Sequence, residues 1–198
     1  MRSILWLLVG GLTAGGVVVA GTDVVTPRLA ELFQQKMLLV VQQASTEPVA
    51  PRTTMFDEGE VNSYLRFKMT DQLPSGLSDP AVTLIGEGRV SGRAVIDLDA
   101  IRQKQGRGAW FDPTSYLSGK LPVMATGALR TTNGVGHFDL ERTEVSGVPV
   151  PKRLLQEILS YYTRSADHPN GTSLDEDFEL SAHIRRLDVE TGRVIVVQ

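Results

Sequence analysis

The 198-residue chain predicts an α+β protein: a meandering, curved antiparallel sheet packed on two or three helices, preceded by an N-terminal hydrophobic anchor helix. Three observations carry that prediction. Residues 56–98 open with a strongly marked helix start and then change period, from 3.6 to 2. Asn133-Gly134, the strongest short hairpin signal, stands between two alternating stretches, residues 121–130 and 135–145. Beyond them Pro151 opens a helix whose Leu154, Leu155, Ile158, Leu159 and Tyr162 make a wide apolar face.

Taken in order, the chain starts with Arg2 and a nearly unbroken apolar run, residues 4–20. Its length reaches the lower limit for crossing a hydrocarbon core of about 30 Å and is long for the apolar part of a signal peptide. Val18-Val19-Ala20 offers a small-residue cleavage site, so residues 1–22 are read as a signal-anchor or a signal peptide. With Arg2 retained inside, the rest of the chain is expected outside the cytoplasmic membrane, in the cell envelope, tethered by residues 4–20. Residues 27–198 then form one α+β domain.

Thr26-Pro27 pairs an N-cap with an N1 proline, and Leu29, Leu32, Phe33, Met37, Val40, Val41 and Ala44 continue as a helical stripe expected in the core. Pro48 and Pro51 mark residues 45–54 as a loop. Asp57 is the next N-cap, with Glu60 three residues on to reach back to it and Phe56 placed to staple onto Val61. Val61, Tyr64, Leu65 and Met69 share one face of this helix, which Pro74-Ser75-Gly76 stops. Residues 81–85 pair with 89–98 across Gly86-Glu87-Gly88, and in the second strand Val90, Gly92, Ala94, Ile96 and Leu98 form the apolar phase. Residues 99–119 are less legible, with helical turns expected near Ile101 and after Asp112-Pro113. His168-Pro169-Asn170-Gly171 ends the proline-opened helix, and residues 178–187 and 193–197 make a last hairpin around Glu190-Thr191-Gly192.

Composition narrows the chemistry. A net charge of −3 gives no basic face for nucleic acid. The absence of cysteine removes disulfides, thiolate metal sites and a cysteine nucleophile. His137, His168 and His183 have no metal-ligand spacing, and no nucleophile elbow occurs. The acidic stretch 174–179 lacks the glycine and spacing of a calcium loop. Gly86-Glu87-Gly88 and Gly106-Arg107-Gly108 lack the strand-to-helix grammar of a phosphate loop. No catalytic residue, metal or cofactor is therefore assigned, and the protein is read as a non-enzyme.

What remains is apolar. Small residues alternate with branched ones on the inward strand phases: Gly92, Ala94 and Ile96 on one strand, Val123, Ala125, Gly127 and Leu129 on another. Such a face either admits a helix closely or leaves a groove for an acyl chain. The groove reading assigns its lining to Val61, Tyr64, Leu65, Ala94, Ile96, Ala125, Phe138, Leu140, Leu155 and Ile158. The helix of the form Phe56-x-Glu58-x-Glu60-Val61-Asn62-x-Tyr64-Leu65, the Gly147-x-Pro149-x-Pro151 entry into a Leu-rich helix, and the closing hairpin from Ile184 to Val194 together resemble envelope proteins of bacteria related to the tubular lipid-binding (TULIP) superfamily, including LmeA-type phospholipid-binding proteins. The resemblance covers roughly residues 56–198. It implies a curved sheet wrapped on a long helix, with lipid held between them and no catalytic residues. The competing expectation is an envelope scaffold with a filled core that binds a protein partner by strand addition. An exported hydrolase is the third.

Overall fold

The computed structural model describes residues 24–44, 50–73, 76–100, 119–163, 170 and 173–198. The expected membrane segment, residues 4–20, lies outside the described residues, as does most of 99–119. Among the described residues no helix is long and apolar enough to cross a membrane.

The protein is α+β, with two antiparallel sheets where a single meander was expected. The smaller sheet takes β1 (Thr53–Asp57), β9 (Arg193–Val197) and β8 (Arg186–Glu190), in that order. The larger has six strands. β2 (Leu77–Gly86), β3 (Arg89–Asp97), β4 (Lys120–Thr132), β5 (Val135–Val145) and β6 (Val148–Pro149) lie in chain order, and β7 (Phe178–Glu179) pairs with β5 beside them. The helices are α1 (Pro27–Ala44), α2 (Glu58–Phe67) and α3 (Lys152–Thr163).

Hairpin chemistry explains the large sheet. Glu87-Gly88, Asn133-Gly134 and Ser146-Gly147 all have positive φ at both residues, the geometry that a two-residue turn needs to match strand twist. The β2–β3 turn then docks on the β8–β9 turn, where Gly192 N–H donates to the Leu84 carbonyl at 2.8 Å and Thr191 Oγ1 donates to that of Ile85 at 2.9 Å. A side chain at Gly86 would come within 2.7 Å of Thr191 Oγ1, so this junction between the sheets requires glycine. A second junction joins β4 to β8, where Thr131 Oγ1 exchanges hydrogen bonds with the N–H and carbonyl of Leu187.

The core sits on the small sheet. Val40, Phe56 and Val196 are buried together, with Phe33, Val61, Leu187 and Val194 packed around them. Phe33 of α1 stacks obliquely on Phe56 and on Tyr64, at 4.9 and 4.6 Å between ring centres. Glu60 is buried at the start of α2, and its carboxylate accepts both the Asp57 N–H at 3.2 Å and the Lys36 ammonium at 2.7 Å. Asp57 occupies the expected N-cap of α2 in extended conformation.

Four sequence expectations need correction. Residues 53–57, partly read as loop, form β1, because Val194–Val197 supplies a partner that local sequence cannot reveal. The helix after Asp57 ends at Phe67, and a 3-10 turn, Thr70–Gln72, fills the approach to Pro74, so Met69 is not on α2. Residues 178–187 are not one strand: Ala182 and His183 have φ of 57° and 53°, which breaks the extension and sends β7 and β8 to different sheets. Finally, the α1 stripe is not all core. Phe33 is half-buried and Val40 fully buried, whereas Leu32, Met37 and Val41 are exposed.

Candidate functional site

A large cavity lies where α2 meets the β2 side of the large sheet. It is built by an unusual edge contact. Val82 pairs with Gly92 of β3 on one side and turns its free N–H and carbonyl to the other. There Asn62 of α2 takes both: its Oδ1 accepts the Val82 N–H at 2.7 Å, and its Nδ2 donates to the Val82 carbonyl at 2.8 Å. One turn earlier, Glu58 Oε2 accepts the Leu84 N–H at 2.5 Å. Two side chains at i and i+4 of a helix thus stand in for a neighbouring strand.

Beyond Val82 that contact ends, and β2 bends away from α2. Its register shifts between Ser78 and Ala81, Asp79 has a φ of 50°, and Pro80 supplies no donor. The space opened is about 1120 Å³, lined from α2 by Asn62, Leu65 and Arg66, from β2 by Leu77 to Thr83, and from β3 and β4 by Arg93–Val95 and Pro122–Met124. Val25, Leu73 and Glu144 complete its walls. That volume exceeds the range of roughly 300–1,000 Å³ typical of small-molecule pockets. Its lining combines an apolar set (Val25, Leu65, Leu73, Leu77, Ala94, Val123) with charges of both signs (Glu58, Arg66, Asp79, Arg93, Glu144). Glu144 is already paired with Arg142. Among the described residues the lining holds no histidine, and its titratable groups are the carboxylates Glu58, Asp79 and Glu144 and the guanidinium groups of Arg66 and Arg93.

The residues singled out from sequence are distributed as follows. Leu65 and Ala94 line the cavity. Val61 and Tyr64 lie on the other side of α2, Val61 against the core and Tyr64 on Phe33. Ile96, Ala125, Phe138 and Leu140 are half-buried, and the strand register puts them on the same face as Ala94. Phe138 packs so closely over Gly127 that a Cβ there would be 2.7 Å from its ring. Leu155 is half-buried on α3, and the side chain of Ile158 lies outside the described residues. Asn62 was named in the helix motif but not among the lining residues, although an asparagine between Val61 and Tyr64 is a polar signal beside the apolar side of the helix. Leu77 and Met124 were missed because they reach the cavity only through the sheet register, and Leu73 because it does so through the 3-10 turn before it.

Away from the cavity, His137 of β5 sits between two carboxylates, with Nδ1 2.6 Å from Asp177 and Nε2 3.2 Å from Asp139. Arg130 also reaches Asp139, at 3.0 Å. The hydrogen bond to Asp177 raises the imidazole pKa above its ordinary 6.5; desolvation opposes it, and the hydrogen bond to Asp139 and the charges of both carboxylates add to the rise. Among the described residues no cluster of three or more His, Cys, Asp or Glu is arranged to hold a metal ion. No protein-family model and no curated protein matches the chain.

Proposed function

We propose that this is a membrane-tethered envelope protein that binds a lipid or another hydrophobic ligand, without catalysis, in the cavity between α2 and the large sheet. In this reading the sheet curves around its ligand as in the tubular lipid-binding proteins that residues 56–198 resemble, and residues 4–20 hold the protein at the cytoplasmic membrane. The supporting observation is the cavity of about 1120 Å³, apolar along Val25, Leu65, Leu73, Leu77, Ala94 and Val123 and charged at Arg66 and Arg93. A ligand with an apolar body and a polar head matches both parts of that lining.

The test is mass spectrometry of intact protein extracted from membranes in mild detergent. A stoichiometric lipid that survives purification is the expected result. Protein that carries no lipid and binds no fluorescent fatty-acid probe would instead favour the scaffold reading, in which strand edges or loops engage another envelope protein.

A further inference from the structure

The exposed side of α1 is unusually apolar for a helix at a protein surface. Leu38, Leu39 and Val41 are each more than half exposed, and Leu32 is 40% exposed. At 100° per residue these four fall within one half of the helix circumference. The opposite half is committed to the core: Ala30 and Val40 are buried, Phe33 stacks on Phe56 and Tyr64, and Lys36 is held by Glu60. Thr26 N–H also donates to Ser63 Oγ at 3.0 Å, which pins the start of α1 to α2. The helix cannot turn its leucines inward without giving up these contacts.

The sequence in front of α1 identifies what meets them. Residues 4–20 contain no charged side chain, and only residues 21–26 separate them from Pro27. Six residues span at most about 20 Å, and the 18 residues of α1 extend about 27 Å. A bilayer that accepts residues 4–20 therefore lies within about 20 Å of the start of α1, and a helix laid along its surface meets it over its whole length. The same side also carries Gln34, Gln35 and Gln42, Arg28 in the first turn, and Glu31, which is paired with Lys68 at 3.2 Å, so its cations stand at one end of the helix and form no stripe. That composition suits insertion into a neutral lipid interface better than attraction to anionic headgroups.

We propose that α1 lies on the outer surface of the membrane, with Leu32, Leu38, Leu39 and Val41 set into the lipid. This rests on the membrane attachment proposed above. Val25, which precedes α1, lines the cavity, so one wall of the cavity adjoins the start of this helix.

The cysteine-free chain makes the test direct. Leu39→Cys and, as a control on β5, Arg142→Cys are each labelled with an environment-sensitive fluorophore in the full chain reconstituted into phosphatidylcholine vesicles. The label at position 39 is expected to emit to the blue of the control and to be quenched at least about twofold more by acyl-chain nitroxides. Failure of the chain to float with vesicles would overturn both the attachment and this inference. Flotation with a position-39 label as wet as the control would overturn the inference alone. So would a dry label that lipid nitroxides do not quench, since a protein or a second copy would then cover α1.

Discussion

The two sheets divide the labour unequally, and not in the proportion their sizes suggest. The three-stranded sheet and its two helices hold Phe56, Val40, Val189, Val196, Ala30 and the buried Glu60 and Ser63. Of the described strand hydrophobics in the six-stranded sheet Leu84 alone is buried, and most of its apolar positions are half-buried. The lesson is that the closely packed core and the cavity lie in different parts of the molecule. Close packing gives the small sheet its stability, and looser packing beside the large sheet leaves the cavity open.

The sharpest way to break this comparison is to cut an equal ring from each part. Phe56→Ala should cost about 4 kcal/mol in denaturant unfolding, because a fully buried ring leaves a cavity. Phe138→Ala on β5 should cost no more than about half of that, since its ring is only partly removed from water. Costs in the reverse order would mean that the large sheet carries the core.

Next in size is Glu60→Ala. The carboxylate is buried while Lys36 keeps 26% of its side chain exposed, so the abandoned ammonium partly returns to water. The expected cost is about 2–3 kcal/mol, below the range for fully buried pairs. A cost within about 0.5 kcal/mol of zero would show that the pair behaves like an ordinary surface bridge.

Two leucine substitutions sharpen the comparison inside the large sheet. Ala125 pairs across the sheet with Thr143, which is 4% exposed, so Ala125→Leu should overpack and cost about 1–3 kcal/mol. Ala94 lines the cavity, so Ala94→Leu should cost under about 1 kcal/mol while binding of a fluorescent fatty acid falls. Thermal unfolding beside probe titration reads both; equal losses of stability with unchanged probe binding would remove the cavity from the argument.

The smallest effect belongs to His137. Its folded pKa is raised, so its contribution to stability is complete below the unfolded value of about 6.5 and is lost as pH rises through the higher folded value. The difference in unfolding midpoint between the parent and His137→Gln should therefore shrink from about pH 5.5 to about pH 8.5. A difference that grows with pH would contradict the pairing with Asp177 and Asp139.

Much of this architecture was legible. The capped start at Asp57, the proline starts of α1 and α3 and the turn at Asn133-Gly134 are local signals, and each names an element the structure contains. β1 was invisible because its partner is β9, and no short-range pattern links Thr53 to Val197. The break at Ala182 and His183 was equally hidden, since alanine rarely adopts positive φ and a lone histidine, though more tolerant of it, does not mark a break. At the site, small residues pointed to the sheet face, which gave Ala94, while the edge contact that frames the cavity depends on Asn62 meeting Val82 in space. Exposure on α1 also escaped periodicity, because a helical stripe marks an apolar side without saying what covers it.

The pairing of Thr53 with Val197 has a consequence for the order of folding. The β2–β3 and β4–β5 hairpins close over two-residue turns, a microsecond event in isolated hairpins. The small sheet cannot form until two segments nearly the whole domain apart have found each other, which carries the larger loop-closure entropy. The hairpins of the large sheet are therefore expected to form before the core on the small one is complete. Until α2 settles, Val82 and Leu84 present an open strand edge to any neighbouring chain, so the interval before Asn62 docks is when this protein is most exposed to aggregation.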